Sequence, residues 1–246
     1  MKLTGDTHIG LMRSSNQDAL QYGSLDNNVV YAVVCDGMGG ANGGNVASNI
    51  AVDIISKRIR DGYADGQVPH SPANLLASAM AAANIEIFDK GKSDPVYEGM
   101  GTTVVVVIVC DNVAYISHVG DSRLYLYRHG TLQQITRDHS VVQEMVESGQ
   151  LTEEQARSHP RKHFITRALG VVAMEEGEYD ELPLEDGDRL LLCTDGLTNM
   201  INDNVMSDIL DGGEPVVENL IKAALDGGGA DNITAVFLEH IECPYD

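Results

Sequence analysis

Residues 102–110 read TTVVVVIVC, and after a two-residue break the chain continues as Val113–Val119 (VAYISHV) and then Arg123–Arg128 (RLYLYR). β-branched side chains crowd the preceding turn of a helix but sit well on a pleated strand. The first run therefore predicts a strand, and its lack of polar alternation predicts burial on both faces. Asp111-Asn112 and His129-Gly130 have the chemistry of hairpin turns, so neighbouring strands are expected to pair antiparallel, with another at 131–136 (TLQQIT).

Further strands are predicted at 29–35 (VVYAVVC), 189–194 (RLLLCT) and 233–240 (ITAVFLEH). Two helices separate the early strands from the middle ones. One, at 45–60, spaces Val46, Ala47, Ile50, Ile54 and Arg58 along a face; the other, at 73–90, carries Leu75, Leu76, Met80 and Ile87. Thr152-Glu153-Glu154-Gln155 is a capping-box pattern for a short helix. Pro215 suits the first position of a helix at 215–225, and Gly212-Gly213 and Gly227-Gly228-Gly229 suit helix ends. Residues 61–72 read as a loop between helices. Hairpins rather than strand–helix–strand crossovers dominate, which argues against a doubly wound parallel sheet. Two packed antiparallel sheets covered by helices account for strands this apolar.

The chain has 246 residues, enough for one large unit or two small ones, and no repeat or low-complexity linker divides it. Its formal charge of −21 disfavours nucleic acid as a partner and concentrates divalent cations. Most of the acidic residues need no reading beyond solubility. Cys35, Cys110, Cys193 and Cys243 show no C-x-x-C spacing, and three lie in apolar runs, so reduced thiols and a cytoplasmic setting are expected. The N-terminus has no apolar leader, and the longest apolar run falls well short of the roughly 20 residues that span a bilayer.

Five aspartates lie in short turns marked by glycine, asparagine or serine: Asp18 in Asn16-Gln17-Asp18, Asp36 in Cys35-Asp36-Gly37-Met38-Gly39-Gly40, Asp121 in Gly120-Asp121-Ser122-Arg123, Asp195 in Thr194-Asp195-Gly196, and Asp231 in Asp231-Asn232-Ile233-Thr234. Each alone reads as an ordinary turn. Together, most of them at the ends of apolar strands, they can converge as a carboxylate cluster, which suits hard cations such as Mg2+ or Mn2+. Gly37 leaves room for its carbonyl to approach an ion. Asp36-Gly37 is not a nucleotide loop, because neither G-K-[ST] nor G-x-G-x-x-G follows. Arg13, in a chain with only 16 basic residues, suits bidentate capture of phosphate oxygens; a surface salt bridge is its commoner fate. His118 reads as a core or cleft residue, and His139, His159 and His163 as surface groups. Neither H-E-x-x-H nor G-x-S-x-G occurs, which leaves metal-activated water as the nucleophile.

In this combination the sequence resembles the metal-dependent protein phosphatase family (PPM, the type 2C serine/threonine phosphatases), its compact bacterial branch in particular. Arg13 with Asn16-Gln17-Asp18, Asp36-Gly37-Met38-Gly39-Gly40, Gly101-Thr102-Thr103, Gly120-Asp121-Ser122-Arg123, Asp195-Gly196-Leu197 and Asp231-Asn232-Ile233-Thr234 appear in the family's order over nearly the whole chain. The resemblance implies an α+β fold, a four-layer α-β-β-α sandwich, as one catalytic domain over 1–246 with a flap at about 138–170. It implies phosphoserine/phosphothreonine hydrolysis by direct attack of a water or hydroxide bridging two Mn2+ or Mg2+ ions. Asp36 would bridge them, the Gly37 carbonyl would bind one, and Asp195 and Asp231 would hold the first. Asp18 would act through metal-bound water, Asp121 with Asp195 would hold a third ion, and Arg13 would bind substrate phosphate. Phosphorylated Ser/Thr proteins would be the partners, a bacterial Ser/Thr kinase the opposing enzyme, and a monomer the default state. Met38 stands where some members carry a histidine proposed as general acid, so leaving-group protonation falls to metal-bound water or another residue. The alternative is a catalytically silent sensor with the same fold; retention of the full aspartate set argues against it. A calcium-binding structural protein is disfavoured by the lack of an EF-hand loop.

Overall fold

The computed structural model describes residues 1–25, 28–64 and 71–240 (for 41 and 42, the backbone only). Cys243 and residues 65–70 of the expected loop fall outside them. Among the described residues the order is β1 (Lys2–His8), β2 (Asp18–Ser24), β3 (Val30–Met38), α1 (Gly40–Gly62), α2 (Pro72–Ser93), β4 (Gly101–Thr102), β5 (Val104–Cys110), β6 (Val113–Val119), β7 (Arg123–Arg128), β8 (Thr131–Gln134), α3 (Val141–Glu147), α4 (Glu153–Arg157), β9 (Glu178–Pro183), β10 (Arg189–Cys193), α5 (Asp195–Thr198), α6 (Asp203–Asp211), α7 (Val216–Asp226) and β11 (Ile233–Glu239). One sheet runs β1-β11-β10-β7-β8; the other runs β2-β3-β5-β6-β9, with β4 on β3. Every pairing is antiparallel.

Three apolar clusters define four layers. Val34, Val105, Val107, Leu124, Leu192 and Val236 pack between the two sheets. Val33, Val106 and Ile108 on the far face of one sheet meet Ala51, Ile55, Met80 and Ile87 of α1 and α2. Tyr125, Leu191 and Phe237 on the far face of the other meet Met206, Leu210, Leu220 and Ile221 of α6 and α7. Both faces of β5 are thereby buried, the physical reason for its unbroken apolar run. Both expected hairpin turns form: Asp111, Asn112, His129 and Gly130 all have positive φ. Among the described residues, no helix is long and apolar enough to cross a membrane.

The structure corrects several expectations. The helix expected from 45 begins at Gly40, through the poor formers Gly40, Gly43 and Gly44. Close approach overrides propensity there, since a Cβ on Gly44 would lie 2.6 Å from the Gly37 oxygen. The buried face of α1 is Ala47, Ala51, Ile55 and Ile59; of the expected stripe Ala47 is buried, Val46, Ile50 and Ile54 flank that face, and Arg58 is exposed. The run at 102–110 breaks at Thr103, whose hydroxyl serves the site instead of the ladder. Pro215 is the N-cap of α7, one position before the expected one. The capping box at Thr152 forms as expected. The pattern missed β1, β2 and β9. β1 and β9 are edge strands whose polar, charged sequences draw their order from backbone pairing and discourage further strand addition. Cys35, Cys110 and Cys193 are free and buried, and burial lifts all three thiols, Cys110 to about 11 and Cys193 to about 12.

Candidate active site

The two sheets end together at one edge of the sandwich, and that edge gathers the aspartates. Asp18 opens β2 and lies opposite Asp36 in the β2–β3 register. Asp195 follows β10 as the first residue of α5, and Asp231 lies two residues before the start of β11. Asp121 lies in the turn where the chain passes from β6 of one sheet to β7 of the other. Antiparallel alternation puts strand ends and strand starts at the same edge, so residues far apart in sequence meet there.

Asp18 is buried, and its Oδ2 accepts hydrogen bonds from Thr194 Oγ1 at 2.8 Å and Thr234 Oγ1 at 2.6 Å. Those threonines belong to the opposite sheet, so the contact also ties the sheets together at the site. Burial pushes the Asp18 carboxyl up to about 7; the two hydroxyl donors oppose the rise and the charges of Asp195 and Asp231 add to it. Asp36 is half-buried at the cleft. Burial, followed by repulsion from Asp18, Asp195, Asp121 and Asp231, holds its carboxyl well above the usual range. Asp121 is raised in the same direction, first by burial and then by Asp195 and Asp138. Carboxylates that raise one another in this way gain from a shared cation.

The supporting hydrogen bonds are specific. The Asp36 N–H donates to Thr103 Oγ1 at 3.0 Å, and the Asp36 carbonyl accepts from Thr102 Oγ1 and Thr103 N–H, both at 2.8 Å. Thr103 Oγ1 lies 2.7 Å from Ser122 Oγ, linking the Asp36 turn to the Asp121 turn. Asp195 Oδ2 accepts from Asn199 Nδ2 at 2.9 Å, with His163 Nδ1 at 3.9 Å. Asp231 Oδ1 accepts its neighbour's N–H, and Oδ2 accepts from Arg13 Nη2 at 2.6 Å. Asn232 accepts from Gln17 N–H and donates to the carbonyls of Ile9 and Ser15, fixing the loop that carries Arg13. Gly37 admits no side chain: a Cβ would sit 2.0 Å from the Gly44 oxygen.

Arg13, Asp36, Gly37, Asp121, Asp195 and Asp231 line one cleft of about 690 Å³. Asp121 and Asp195 also form the wall of a second cleft of about 530 Å³, bounded by α3, α4 and the start of α6. The donor set fits one or more hard divalent cations. It consists of carboxylate and carbonyl oxygens with no thiolate among them, since Cys35 is buried with a raised pKa.

Thr103, Thr194, Thr234, Asn232 and His139 carry roles that the sequence reading did not assign. The threonines and Asn232 lie inside the quoted motifs, and that adjacency was the available signal. His139, expected at the surface, is buried, as is His118, and their rings stack with centroids 4.8 Å apart. Arg167 is occupied by Glu175 at 2.7 Å and Glu178 at 3.3 Å.

A two-sheet sandwich with helices outside and an aspartate cluster at the sheet edge is the architecture that the resemblance to the PPM phosphatases implies. Residues 4–226 match the family described as protein phosphatase 2C. The chain is 36% identical over 241 residues to protein phosphatase PhpP of Streptococcus pneumoniae, covering 97% of each. It superposes with a TM-score of 0.89 on the serine/threonine phosphatase of S. agalactiae, at 35% identity, covering 98% of this chain and 99% of that one. The catalytic domain of the phosphatase PstP, solved with two manganese ions, gives a TM-score of 0.87 at 32% identity and 98% coverage of each chain. The chain therefore belongs to the protein phosphatase 2C family, and it is a protein serine/threonine phosphatase that uses divalent metal.

Proposed function

We propose that the chain removes phosphate from phosphoserine and phosphothreonine side chains by direct in-line attack of water, with no covalent enzyme intermediate. The observation that carries this reading is the convergence of Asp36, Asp121, Asp195 and Asp231 on one cleft that Arg13 also lines, with Asp18 buried beside Asp36 in the β2–β3 register. Asp36 and the Gly37 carbonyl, with Asp195 and Asp231, are the groups that would hold two Mn2+ or Mg2+ ions. Such a pair supplies a water acidic enough to attack at neutral pH and neutralises the phosphoryl oxygens.

The chain's own residues do the rest. Asp18, held by Thr194 and Thr234, would act through metal-bound water. Asp121 with Asp195 would hold a third ion toward the second cleft. Arg13, half-exposed and paired with Asp231, would present its guanidinium to the substrate phosphate. Met38 has no proton to give, so protonation of the leaving alkoxide would fall to metal-bound water or another residue. The whole chain would act as one catalytic domain, with 138–170 as a flap. We place it in the cytoplasm as a monomer, acting on the substrates of a cognate kinase.

The test is hydrolysis of a phosphothreonine peptide and of p-nitrophenyl phosphate, with and without Mn2+, alongside anomalous scattering from Mn2+-soaked crystals. Two ions on Asp36, Asp195 and Asp231 are expected. Absence of an ion pair from these three residues would overturn the assignment.

A further inference from the structure

Outside the aspartate cluster, His118, His139 and Glu178 bring their ligand-type atoms within 4.8 Å of one another. It is not a metal site. His118 Nε2 donates to the Arg137 carbonyl at 2.8 Å, and Arg167 Nη1 stands 3.2 Å from His139 Nε2, a fixed cation where an ion would have to sit. The group is a closed network, and one of its bonds runs to the active site.

That bond is Gly120 N–H to His139 Nδ1, at 3.0 Å and buried. Gly120 directly precedes Asp121. Gly120 has φ +102, and a Cβ there would strike Thr103 at 2.6 Å. The bond leaves Nδ1 without a proton, so the ring proton is on Nε2, facing Glu178 Oε1 at 2.9 Å. The His139 main chain clamps the same turn, its N–H donating to the Gly120 carbonyl at 2.9 Å and its carbonyl accepting from Thr166 N–H at 2.8 Å. Asp138 grips Arg123 through both carboxylate oxygens, between 2.6 and 3.1 Å, on the other side of Asp121.

We infer that His139 is a positioning residue: through Nδ1 it fixes the Gly120–Asp121 turn, and so sets the affinity of the Asp121 carboxylate for its cation. The inference rests on the reading of Asp121 as a ligand of a third ion. A buried amide that loses its acceptor drives the turn to find another partner, and Asp121 moves with it. Glu178, itself paired with Arg167, accepts from the ring on the far side and holds it in register.

Two substitutions separate the two ring nitrogens. In His139→Asn the amide oxygen falls near the place of Nδ1, whereas His139→Gln reaches toward Nε2 and leaves Gly120 without its acceptor. Calorimetric titration of the full chain with Mn2+ reads the outcome directly. We expect His139→Gln to weaken the weaker binding event about tenfold, within the usual range for coupled sites. His139→Asn should stay within about threefold of wild type, because its oxygen keeps the acceptor. In neither should the tighter events or the KM for a phosphothreonine peptide at saturating Mn2+ change. Wild-type binding by His139→Gln, or equal loss in both variants, overturns the inference. Asp121→Ala is the control. If it keeps the weaker event, the reading of Asp121 fails and this inference falls with it; if it loses the event while His139→Gln does not, only the inference fails. A measurement on the unmodified chain covers the case of a variant that does not fold: the through-hydrogen-bond coupling between Gly120 N and His139 Nδ1 should be visible by NMR and shift with the weaker Mg2+ event. Absence of that coupling, or indifference to Mg2+, also overturns the inference.

Discussion

The guanidinium of Arg13 donates to Asp231 across 218 residues of sequence, Nη2 to Oδ2 at 2.6 Å. The pair unites the residue proposed to hold substrate with one proposed to hold metal. Asp231 is the first influence raising the Arg13 pKa, so the charge is secure. Side chains half-exposed on one partner and a third exposed on the other mean that the contact itself adds little to stability.

Arg13→Ala should therefore leave folding intact and weaken substrate capture. Loss of one charge-assisted phosphate contact costs about 1.5–3 kcal/mol, roughly ten- to hundredfold in KM. Arg13→Lys should rescue only part, since an ammonium cannot reproduce the two-pronged contact. Steady-state kinetics on a phosphothreonine peptide check this, with Mn2+ affinity measured in parallel. Wild-type kinetics in Arg13→Ala would make it a surface salt-bridge residue only.

Chelation should abolish hydrolysis of p-nitrophenyl phosphate, and Mn2+ or Mg2+ should restore it. Among the described residues the cysteines are buried with raised pKa values, so none offers a ready thiolate nucleophile. Turnover that survives exhaustive chelation would sink the mechanism.

Asp36→Asn and Asp195→Ala should each lower turnover by orders of magnitude at saturating Mn2+ while the protein stays folded. For Asp36→Asn we expect a second effect of opposite sign. Its ionised carboxylate is disfavoured by burial and by four neighbouring aspartates, so the amide should raise the thermal midpoint of the metal-free protein. Calorimetry in a chelator reads that shift. A lower midpoint than wild type would show that the carboxylate is compensated some other way.

The metal-free protein should also lose stability as pH rises. The folded pKa of Asp18 lies above its ordinary value, at about 7. Its contribution is therefore fully present below about 4 and is lost as pH climbs through about 7, the window in which the unfolded chain has already released the proton. Asp36 and Asp121 are raised and act in the same direction. Thermal melts in a chelator should fall across this window, less steeply for Asp18→Asn, and excess Mn2+ should flatten the fall. Equal slopes for wild type and Asp18→Asn would refute the linkage.

Much of this protein is determined locally. The β-branched run at 104–110, the positive-φ turns at Asp111-Asn112 and His129-Gly130, and the capping box at Thr152 follow from short-range sterics and hydrogen bonding, which neighbours in sequence decide. The aspartates were legible for the same reason, because each follows from strand-end chemistry within a few residues. Tertiary structure decided the rest. The polar edge strands β1 and β9 form because partners supply backbone hydrogen bonds, a fact their own side chains do not encode. The glycine-rich start of α1 is helical because its backbone must pass close to Gly37. His139, one histidine among several in the sequence, becomes the buried acceptor for Gly120 only when the chain folds back over 19 residues. Such contacts depend on which groups remain unpaired once the sheets have met, and that is settled by packing rather than by local pattern.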